Sequence, residues 1–304
     1  MGDSTRTIDI EGILSGQLQD DIGTQLGVHR HWDAVGDERQ VRCSGPGASA
    51  LDRVRLAITR GELRPYVQPV IDLRPGQCLL GAESLLRWQH PERGVLEARE
   101  FLHLVEEAEL LAEVDLAAAQ RLASDLSRLD RAGRRVERVW QNVSVGELLS
   151  DNFLETLAAV GGQAGLGGRI GLDVPAVVFS IDETSIRRQL ALARRLGLAL
   201  ASDNFGREEW SPHFGMHVFE TIKMDRWLVG HVDEGVASRC VLARVIAFGH
   251  ESGATVVAEG VERLSQLEAL RDLGCDGAQG YLFGRPVQVM ELLGFSGLEL
   301  PTCA

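Results

Sequence analysis

The chain has 304 residues, of which 44% are hydrophobic and 25% are charged, a composition typical of a globular protein with a large core. The formal net charge of −13 at pH 7 argues against DNA and anionic membranes as partners, because their surfaces repel an acidic protein. If the chain binds an anionic ligand, a few basic side chains or a metal ion must therefore concentrate positive charge locally.

The N-terminal part of the chain differs from the rest in composition. It is polar and contains no basic region followed by an apolar run, so no secretory signal is expected. The five cysteines are widely spaced and form no Cys-x-x-Cys pair, which indicates reduced thiols in the cytoplasm. We expect an N-terminal extension and linker over residues 1–50, one large domain over 51–296 and a short tail over 297–304.

From Val54 onward, short apolar runs alternate with amphipathic, helix-like stretches. This alternation predicts a parallel α/β sheet, and eight strands over about 235 residues match the size of a (β/α)8, TIM-like barrel. An open doubly wound sheet is the alternative, although no strand is followed by the glycine fingerprint of a dinucleotide-binding fold. The predicted strands are Pro65–Leu73, Leu79–Leu86, Val136–Val143, Arg169–Val174, Ala199–Phe205, Phe219–Met224, Ala254–Ala258 and Gly277–Phe283. The predicted helices include Arg99–Glu109, Asp115–Leu129, Glu183–Leu196, Ala237–Glu251 and Leu264–Leu273.

Polar side chains recur at or near the ends of these strands. A single one would most simply be a helix cap or a buried, hydrogen-bonded group. Here strand after strand supplies an oxygen ligand or a lysine, and the ends of parallel strands converge on one mouth of a barrel. Carboxylate and amide oxygens suit Mg²⁺ or Mn²⁺ better than zinc. The sequence thus predicts an oxygen-rich metal site with a lysine beside it, formed by Glu83, Asn142, Asp173, Asp203, Asn204, Lys223 and Glu259.

A series of short motifs follows the same strands in order. The motifs are Tyr66–Leu73, Gly81–Trp88, Asn142–Ser144, Asp203–Gly206, Ile222–Asp225, Val257–Glu262, Leu273–Asp276, Gln279–Tyr281 and Gly284–Pro286. Together they resemble the EAL domain family of bacterial cyclic di-GMP phosphodiesterases and receptors, and the signature Glu-Ala-Leu is present as Glu83-Ser84-Leu85. The resemblance extends from about Arg53 to Pro286.

This resemblance implies an EAL-type barrel that hydrolyses cyclic di-GMP with two divalent ions, Mg²⁺ or Mn²⁺. It places Glu83, Asn142, Asp173 and Asp203 on the first ion, with Asp203 bridging to a second ion that Asn204 and Glu259 complete. By the same resemblance, Lys223 would orient or deprotonate the attacking water, and Lys223 and Glu259 are the expected catalytic residues. Arg87 would contact a ligand phosphate, Gln68 and Pro286 would line the ligand groove, and Gln279 would support the metal-site network.

The chain departs from the family pattern at the metal site. Asp173 stands where the family has Glu, and its side chain is shorter by about 1.5 Å, one carbon–carbon bond. Asn204 replaces an Asp and brings no charge to the second ion, while Ala176 replaces a Glu that steadies a nearby loop. That loop itself, Arg207–Pro212, lacks the usual small, glycine-rich sequence.

Because these changes fall on one functional unit, the sequence predicts a degenerate EAL domain. We expect a cyclic di-GMP receptor or protein-interaction module with weak or no hydrolysis. The alternative is an active metal-dependent phosphodiesterase that produces linear pGpG, and a scaffold that binds only proteins is a third reading. A protein partner and a homodimer both stay open.

Overall fold

A computed structural model describes residues 50–74, 79–175, 178, 183–206 and 216–295. The N-terminal extension up to residue 49, the tail at 297–304, Ala176 and the loop at 207–212 lie outside the described residues. None of the described helices has the length and apolarity that crossing a membrane requires.

The described residues alternate between strands and helices. The strands are β1 (Leu63–Asp72), β2 (Gly81–His90), β3 (Gly94–Glu97), β4 (Val139–Asn142), β5 (Ile170–Pro175), β6 (Ala199–Phe205), β7 (Thr221–Met224), β8 (Thr255–Ala258), β9 (Gly277–Ala278) and β10 (Val287–Gln288). The α-helices are α1 (Ala50–Arg60), α2 (Ala98–Glu107), α3 (Leu111–Arg131), α4 (Val145–Leu148), α5 (Asp151–Gln163), α6 (Glu183–Arg195), α7 (Arg226–Gly230), α8 (Val236–Glu251) and α9 (Leu264–Asp272). Two short 3₁₀ helices span Met216–Val218 and Val289–Gly294.

Eight of these strands close into a barrel. Around the ring they follow the order β1, β2, β4, β5, β6, β7, β8 and β9, and β9 pairs again with β1. Outside the ring, β3 pairs with β2 and β10 pairs with β1. The closed ring confirms the predicted (β/α)8 barrel and excludes the open doubly wound sheet.

The expected parallel arrangement is wrong for one strand. β1 runs antiparallel to both β2 and β9, while the other neighbours in the ring are parallel. A parallel pair needs a crossover of roughly a dozen residues or more, usually a helix, and the connection from Asp72 to Gly81 is too short to supply one. The reversal aligns Gln68 of β1 with Glu83 of β2.

The last predicted strand is also shorter than expected. β9 ends at Ala278, because the chain then turns instead of continuing the ladder. The backbone N–H of Gln279 still bonds the Ala258 carbonyl at 2.8 Å, but the N–H of Phe283 bonds back to the Gly280 carbonyl at 3.1 Å. This turn leaves the Gln279 side chain beside the end of the barrel strands.

The interior of the barrel is built in layers of four side chains from alternate strands, as in other barrels of this type. The lowest layer is apolar and buried, and consists of Val70, Trp140, Ala201 and Val257. The Trp140 indole fills the base, and glycines make room for it. A Cβ at Gly81 would lie 2.7 Å from Trp140 Cζ3, and one at Gly171 would lie 3.2 Å from Trp140 Cδ1.

Two polar layers lie above this apolar base. Side chains two residues apart on a strand point to the same face, so each strand that contributes to the base contributes again two residues nearer the mouth. With the observed register, the middle layer contains Glu83, Asp173, Lys223 and Gln279, and the upper layer contains Gln68, Asn142, Asp203 and Glu259.

The helices cover the outside of the barrel with apolar faces. α3 buries Ala119, Leu122, Leu126 and Leu129, whose spacing of three to four residues places them on one side of the helix. The N-terminus of α4 is capped by Ser144, whose Oγ accepts the N–H of Glu147 at 3.2 Å, while the Glu147 carboxylate accepts the N–H of Ser144 at 2.9 Å. This cap fixes where α4 begins after β4.

Candidate functional site

A completely buried lysine occupies the centre of the polar layers. Lys223 of β7 has 0% exposure, and its Nζ donates to the Asp173 carboxylate. The same Nζ lies 3.2 Å from Glu259 Oε1 and 3.4 Å from Glu83 Oε2. Below it, the Trp140 ring centroid is 5.9 Å away, a cation–π distance. Three carboxyl groups therefore surround one ammonium group.

The negative charge in this cluster exceeds the positive charge, and the pKa values reflect the imbalance. Burial raises the pKa of Asp173 well above its usual value, and Asp203, Glu83 and Glu259 add to the rise against the opposing effect of Lys223. Burial likewise raises the pKa of Asp203, and it raises that of Glu259 to about 8. The pKa of Lys223 is raised well above its usual value because nearby carboxylates outweigh its burial.

Glu83 is the exception among these carboxyl groups. Burial alone would raise its pKa, but Lys223 and hydrogen bonds from Gln279 and Asn142 lower it below the usual value. Gln279 Nε2 donates to Glu83 Oε2 at 2.6 Å and to Gln68 Oε1 at 3.1 Å, and Asn142 Nδ2 donates to Glu83 Oε1 at 3.1 Å. Gln68 Nε2 in turn donates to the Gly284 carbonyl at 3.0 Å. Glu83 is thus the anchored, ionised carboxylate of the site.

Asp203 and Asn204 form a pair at the end of β6. The Asn204 backbone N–H donates to Asp203 Oδ1 at 2.8 Å, and the Asn204 side-chain amide donates to Asp203 Oδ2. Asn204 has a φ of 54°, a left-handed conformation that asparagine tolerates better than most residues. Asn204 is the donor in both of its hydrogen bonds with Asp203, so its N–H groups stabilise the neighbouring carboxylate.

A pocket of about 330 Å³ opens above these layers. The sequence predicted six of its lining residues, namely Gln68, Glu83, Asp203, Asn204, Glu259 and Gln279. Asn142, Asp173 and Lys223 do not line it but contact its carboxylates or lie beneath them. The structure therefore brings the predicted metal and catalytic residues to one mouth, and their roles stay predictions.

Two predicted ligand-binding residues do not line this pocket. Pro286 is absent from its lining, and so is Arg87, which lies farther along β2 on the same strand face as Glu83. Arg87 Nη1 donates to the Leu86 carbonyl at 2.9 Å. Arg87 forms no ion pair with a carboxylate of the described residues, and its contact with a ligand stays a prediction.

Several pocket residues were not predicted. Asp225, Glu262 and Tyr281 lie within motifs that the sequence displays, so their proximity to the site could have been inferred from the motif ends. Leu85 lies two residues after Glu83, and strand alternation would have placed it on the same face. Nothing in the sequence singled out Arg226, the basic residue of the pocket lining.

Comparison with known proteins decides the family. A family model of the EAL domain matches residues 51–286. The chain belongs to the EAL domain family. Cyclic di-GMP phosphodiesterase RocR of Pseudomonas aeruginosa is 32% identical over 255 residues, which cover 81% of this chain and 63% of RocR. An uncharacterised protein of Mycobacterium tuberculosis is 31% identical over 237 residues, covering 77% of this chain and 38% of that protein. The chain thus spans less than two thirds of the length of these relatives.

Solved EAL structures share the fold. The structure described as PaMucR phosphodiesterase in complex with c-di-GMP aligns with a TM-score of 0.73 at 24% identity, over 80% of this chain and 99% of that one. The FimX EAL domain of Pseudomonas aeruginosa bound to c-di-GMP aligns with a TM-score of 0.68 at 23% identity, over 80% of this chain and 98% of that one. At these identities the likeness establishes the EAL fold of the barrel.

The donor set of the site fits a divalent cation in charge and chemistry. Four carboxyl groups face one ammonium group, and a cation would supply the missing positive charge. Asp173 Oδ1 is buried and has no hydrogen-bond partner among the described residues, so an acceptor oxygen stays available. Within the described ranges, however, no three or more His, Cys, Asp or Glu side chains are already arranged to bind a metal ion. A bound cation would therefore require the carboxylates to turn away from Lys223.

Proposed function

We propose that the chain is a degenerate EAL domain that binds cyclic di-GMP and hydrolyses it weakly or not at all, acting as a receptor or protein-interaction module. The observation that carries this proposal is the Asp203–Asn204 pair. The family resemblance expects a second carboxylate at Asn204, whereas the Asn204 amide donates to Asp203 and adds no negative charge. Two cations a few ångströms apart need anionic ligands to offset their repulsion, so the second ion loses most.

Asp173 supports the same proposal. Its Oδ2 contacts Lys223 directly and the residue is 1% exposed, so its short side chain can offer an ion only Oδ1 while this contact persists. Mg²⁺ demands near-ideal geometry at about 2.0–2.1 Å, which a ligand in this position meets poorly. Asp173, Glu83 and Glu259 surround the Lys223 ammonium and raise its pKa well above the usual value.

If Mg²⁺ or Mn²⁺ binds, Glu83, Asn142, Asp173 and Asp203 would hold the first ion, and Asn204 and Glu259 would complete a second with Asp203. The ion would supply Lewis acidity and charge neutralisation at a phosphate. The other contacts to cyclic di-GMP come from side chains of the protein. Gln279 anchors Glu83 and Gln68, and Arg226 brings positive charge to the pocket wall.

The test is calorimetric titration with cyclic di-GMP, with and without Mg²⁺ or Mn²⁺, followed by chromatography of the recovered nucleotide. We expect binding and largely intact nucleotide. The double variant Asp173→Glu with Asn204→Asp restores both carboxylates of the family pattern and should raise hydrolysis, most clearly when Ala176→Glu is added. Turnover by the parent at a rate typical of active relatives would contradict the proposal.

The alternative of an active phosphodiesterase has one observation in its favour. Glu83, Lys223 and Glu259 are retained, and the Lys223 Nζ lies 3.4 Å from Glu83 Oε2 and 3.2 Å from Glu259 Oε1. The same chromatography distinguishes the two functions, because an active enzyme converts the nucleotide to linear pGpG. A protein partner and a homodimer stay proposals that size-exclusion chromatography with light scattering would examine.

A further inference from the structure

Two walls of the pocket meet behind the space that a ligand would fill. Asp225 and Arg226, at the start of α7, form one wall. Glu259, Gly260 and Glu262, on the loop between β8 and α9, form the other. The walls touch closely, because a Cβ at Gly260, whose φ is 69°, would lie 2.4 Å from the Cβ of Arg226. Any shift of α7 against this loop therefore changes the shape of the pocket.

The side chain of Gln266 bridges the elements that carry the two walls. Gln266 is 1% exposed, and its Oε1 accepts the backbone N–H groups of Glu262 and Arg263, each at 2.9 Å. Its Nε2 donates to the Gly230 carbonyl at 3.3 Å and lies 3.5 Å from the Val229 carbonyl. The Gln266 side-chain amide thus accepts hydrogen bonds from the loop through its oxygen and donates to the C-terminus of α7 through its nitrogen.

A more exposed link lies beside this amide. Arg263 Nη2 donates to the Gly230 carbonyl and to Asp233 Oδ1, each at 2.7 Å, and Ser265 Oγ donates to Asp233 Oδ2. The Arg263 side chain is 46% exposed, so solvent weakens this ion pair. The buried Gln266 bridge is the stronger constraint, because losing it leaves the N–H groups of Glu262 and Arg263 without their acceptor. The Gly230 and Val229 carbonyls would keep Arg263 Nη2 and the Val232 N–H as donors.

We propose that Gln266 is a positioning residue for nucleotide binding, which fixes the pocket walls by tying α7 to the loop between β8 and α9. The inference rests on the proposed function, since the affinity it controls is that for cyclic di-GMP. Sites of this kind lose affinity when supporting contacts let a wall shift by about 1 Å. Gln266 does not itself line the pocket and acts through Arg226 and Glu262, which do.

The experiment compares Gln266→Leu and Gln266→Glu with a matched control, Gln189→Leu. Gln189 is similarly buried, at 5% exposure, and its Nε2 donates to Asp151 Oδ1 at 2.7 Å, but it does not line the pocket. Gln266→Glu keeps the acceptor for the loop and loses the donor to α7, so it isolates the bridge. Cyclic di-GMP is titrated at a temperature where each variant is fully folded.

Both Gln266 variants should bind cyclic di-GMP roughly 10-fold more weakly, which corresponds to about 1.4 kcal/mol. Gln189→Leu should lower the melting temperature but leave the affinity within about two-fold of the parent. Trp227 lies on α7 and is 37% exposed, so its emission reports movement of that helix. The Trp227 signal, taken as the difference from the same variant carrying Trp227→Phe, should shift in the Gln266 variants and not in the control.

Folded Gln266 variants with parental affinity, or with an unchanged Trp227 signal, would overturn the proposal, as would an equal loss of affinity in Gln189→Leu. If Gln266→Leu does not fold, Gln266→Glu and the milder Arg263→Ala carry the comparison. If the parent binds no cyclic di-GMP, the proposed function fails separately, and the Trp227 signal alone decides whether Gln266 holds α7 in place.

Discussion

At the scale of single residues, the buried Lys223 determines how the centre of the barrel is held together. Its Nζ is the positive group nearest to Asp173, Glu83 and Glu259, which would otherwise repel one another in a buried setting. A buried charge left without its partner is far more costly than one carboxylate fewer around a lysine. Losing Lys223 should therefore cost more stability than losing Asp173, although the two side chains contact each other directly.

Removing the lysine should destabilise the protein more than removing the aspartate. In chelator-containing buffer, Lys223→Met should lower the free energy of unfolding by about 3–5 kcal/mol, because it leaves several buried carboxyl groups uncompensated. Asp173→Asn should cost less than half as much, since Lys223 keeps Glu83 and Glu259 and the amide oxygen still accepts. Urea unfolding followed by circular dichroism measures both. Equal losses in the two variants would show that the Lys223–Asp173 contact acts alone.

At the scale of elements, a second carboxyl pair, the half-buried Asp115 and the buried Glu147, joins α3 to α4 outside the barrel. Burial, followed by the nearby Glu147, raises the pKa of Asp115 on α3 to about 8. Glu147 on α4 is 4% exposed, and its Oε2 accepts the Ser144 N–H while its Oε1 lacks any other described partner. A proton on Asp115 allows its carboxyl group to donate to Glu147. The contact between these two carboxyl groups is therefore favourable only while one of them carries a proton.

This pair predicts a stability that falls as pH rises. The folded pKa of Asp115 is above its unfolded value, so the folded state binds the extra proton and stability is lost between about pH 4 and pH 8. In Asp115→Asn the amide donates without titrating, and that part of the pH dependence should vanish, a difference of up to about 1.4 kcal/mol per pH unit. Unfolding in urea from pH 5 to pH 9 measures the parent and the variant. Parallel pH profiles would contradict the shared proton.

Strand direction was the feature of the fold that sequence pattern could not give. The apolar runs located the barrel strands, but a period of two residues is the same for parallel and antiparallel pairs. β1 is antiparallel because of its direct connection to β2, and β9 is short because Gln279 begins a turn. The edge strands β3 and β10 were missed as well, since each is only two to four residues long.

At the scale of the whole molecule, the site was more predictable than the strands around it. Polar residues at strand ends must converge when a sheet closes, so Glu83, Asp203 and Glu259 could be placed together before any coordinates. Which carboxylate contacts Lys223 depends on register and side-chain length, and sequence pattern specifies neither. Arg226 contributes to the pocket only because α7 packs against Gly260, a tertiary contact with no local signal.

The net charge of the whole chain makes one last prediction, about the rate of ligand association. Cyclic di-GMP carries two phosphate charges and the chain carries −13, so long-range repulsion opposes the encounter. Salt screens that repulsion over about 10 Å at 0.1 M, so the association rate constant should rise several-fold between 10 and 150 mM NaCl.

Arg87→Ala should leave this salt dependence in place and instead speed dissociation. The affinity should weaken by ~1.5–3 kcal/mol because a charged hydrogen bond is lost, and the melting temperature should change little. Stopped-flow measurements, with sucrose as a control for viscosity, separate the two rates. An association rate that falls with salt would mean that Arg226, Arg87 and any bound cation give the mouth of the barrel a positive potential that outweighs the charge of the molecule.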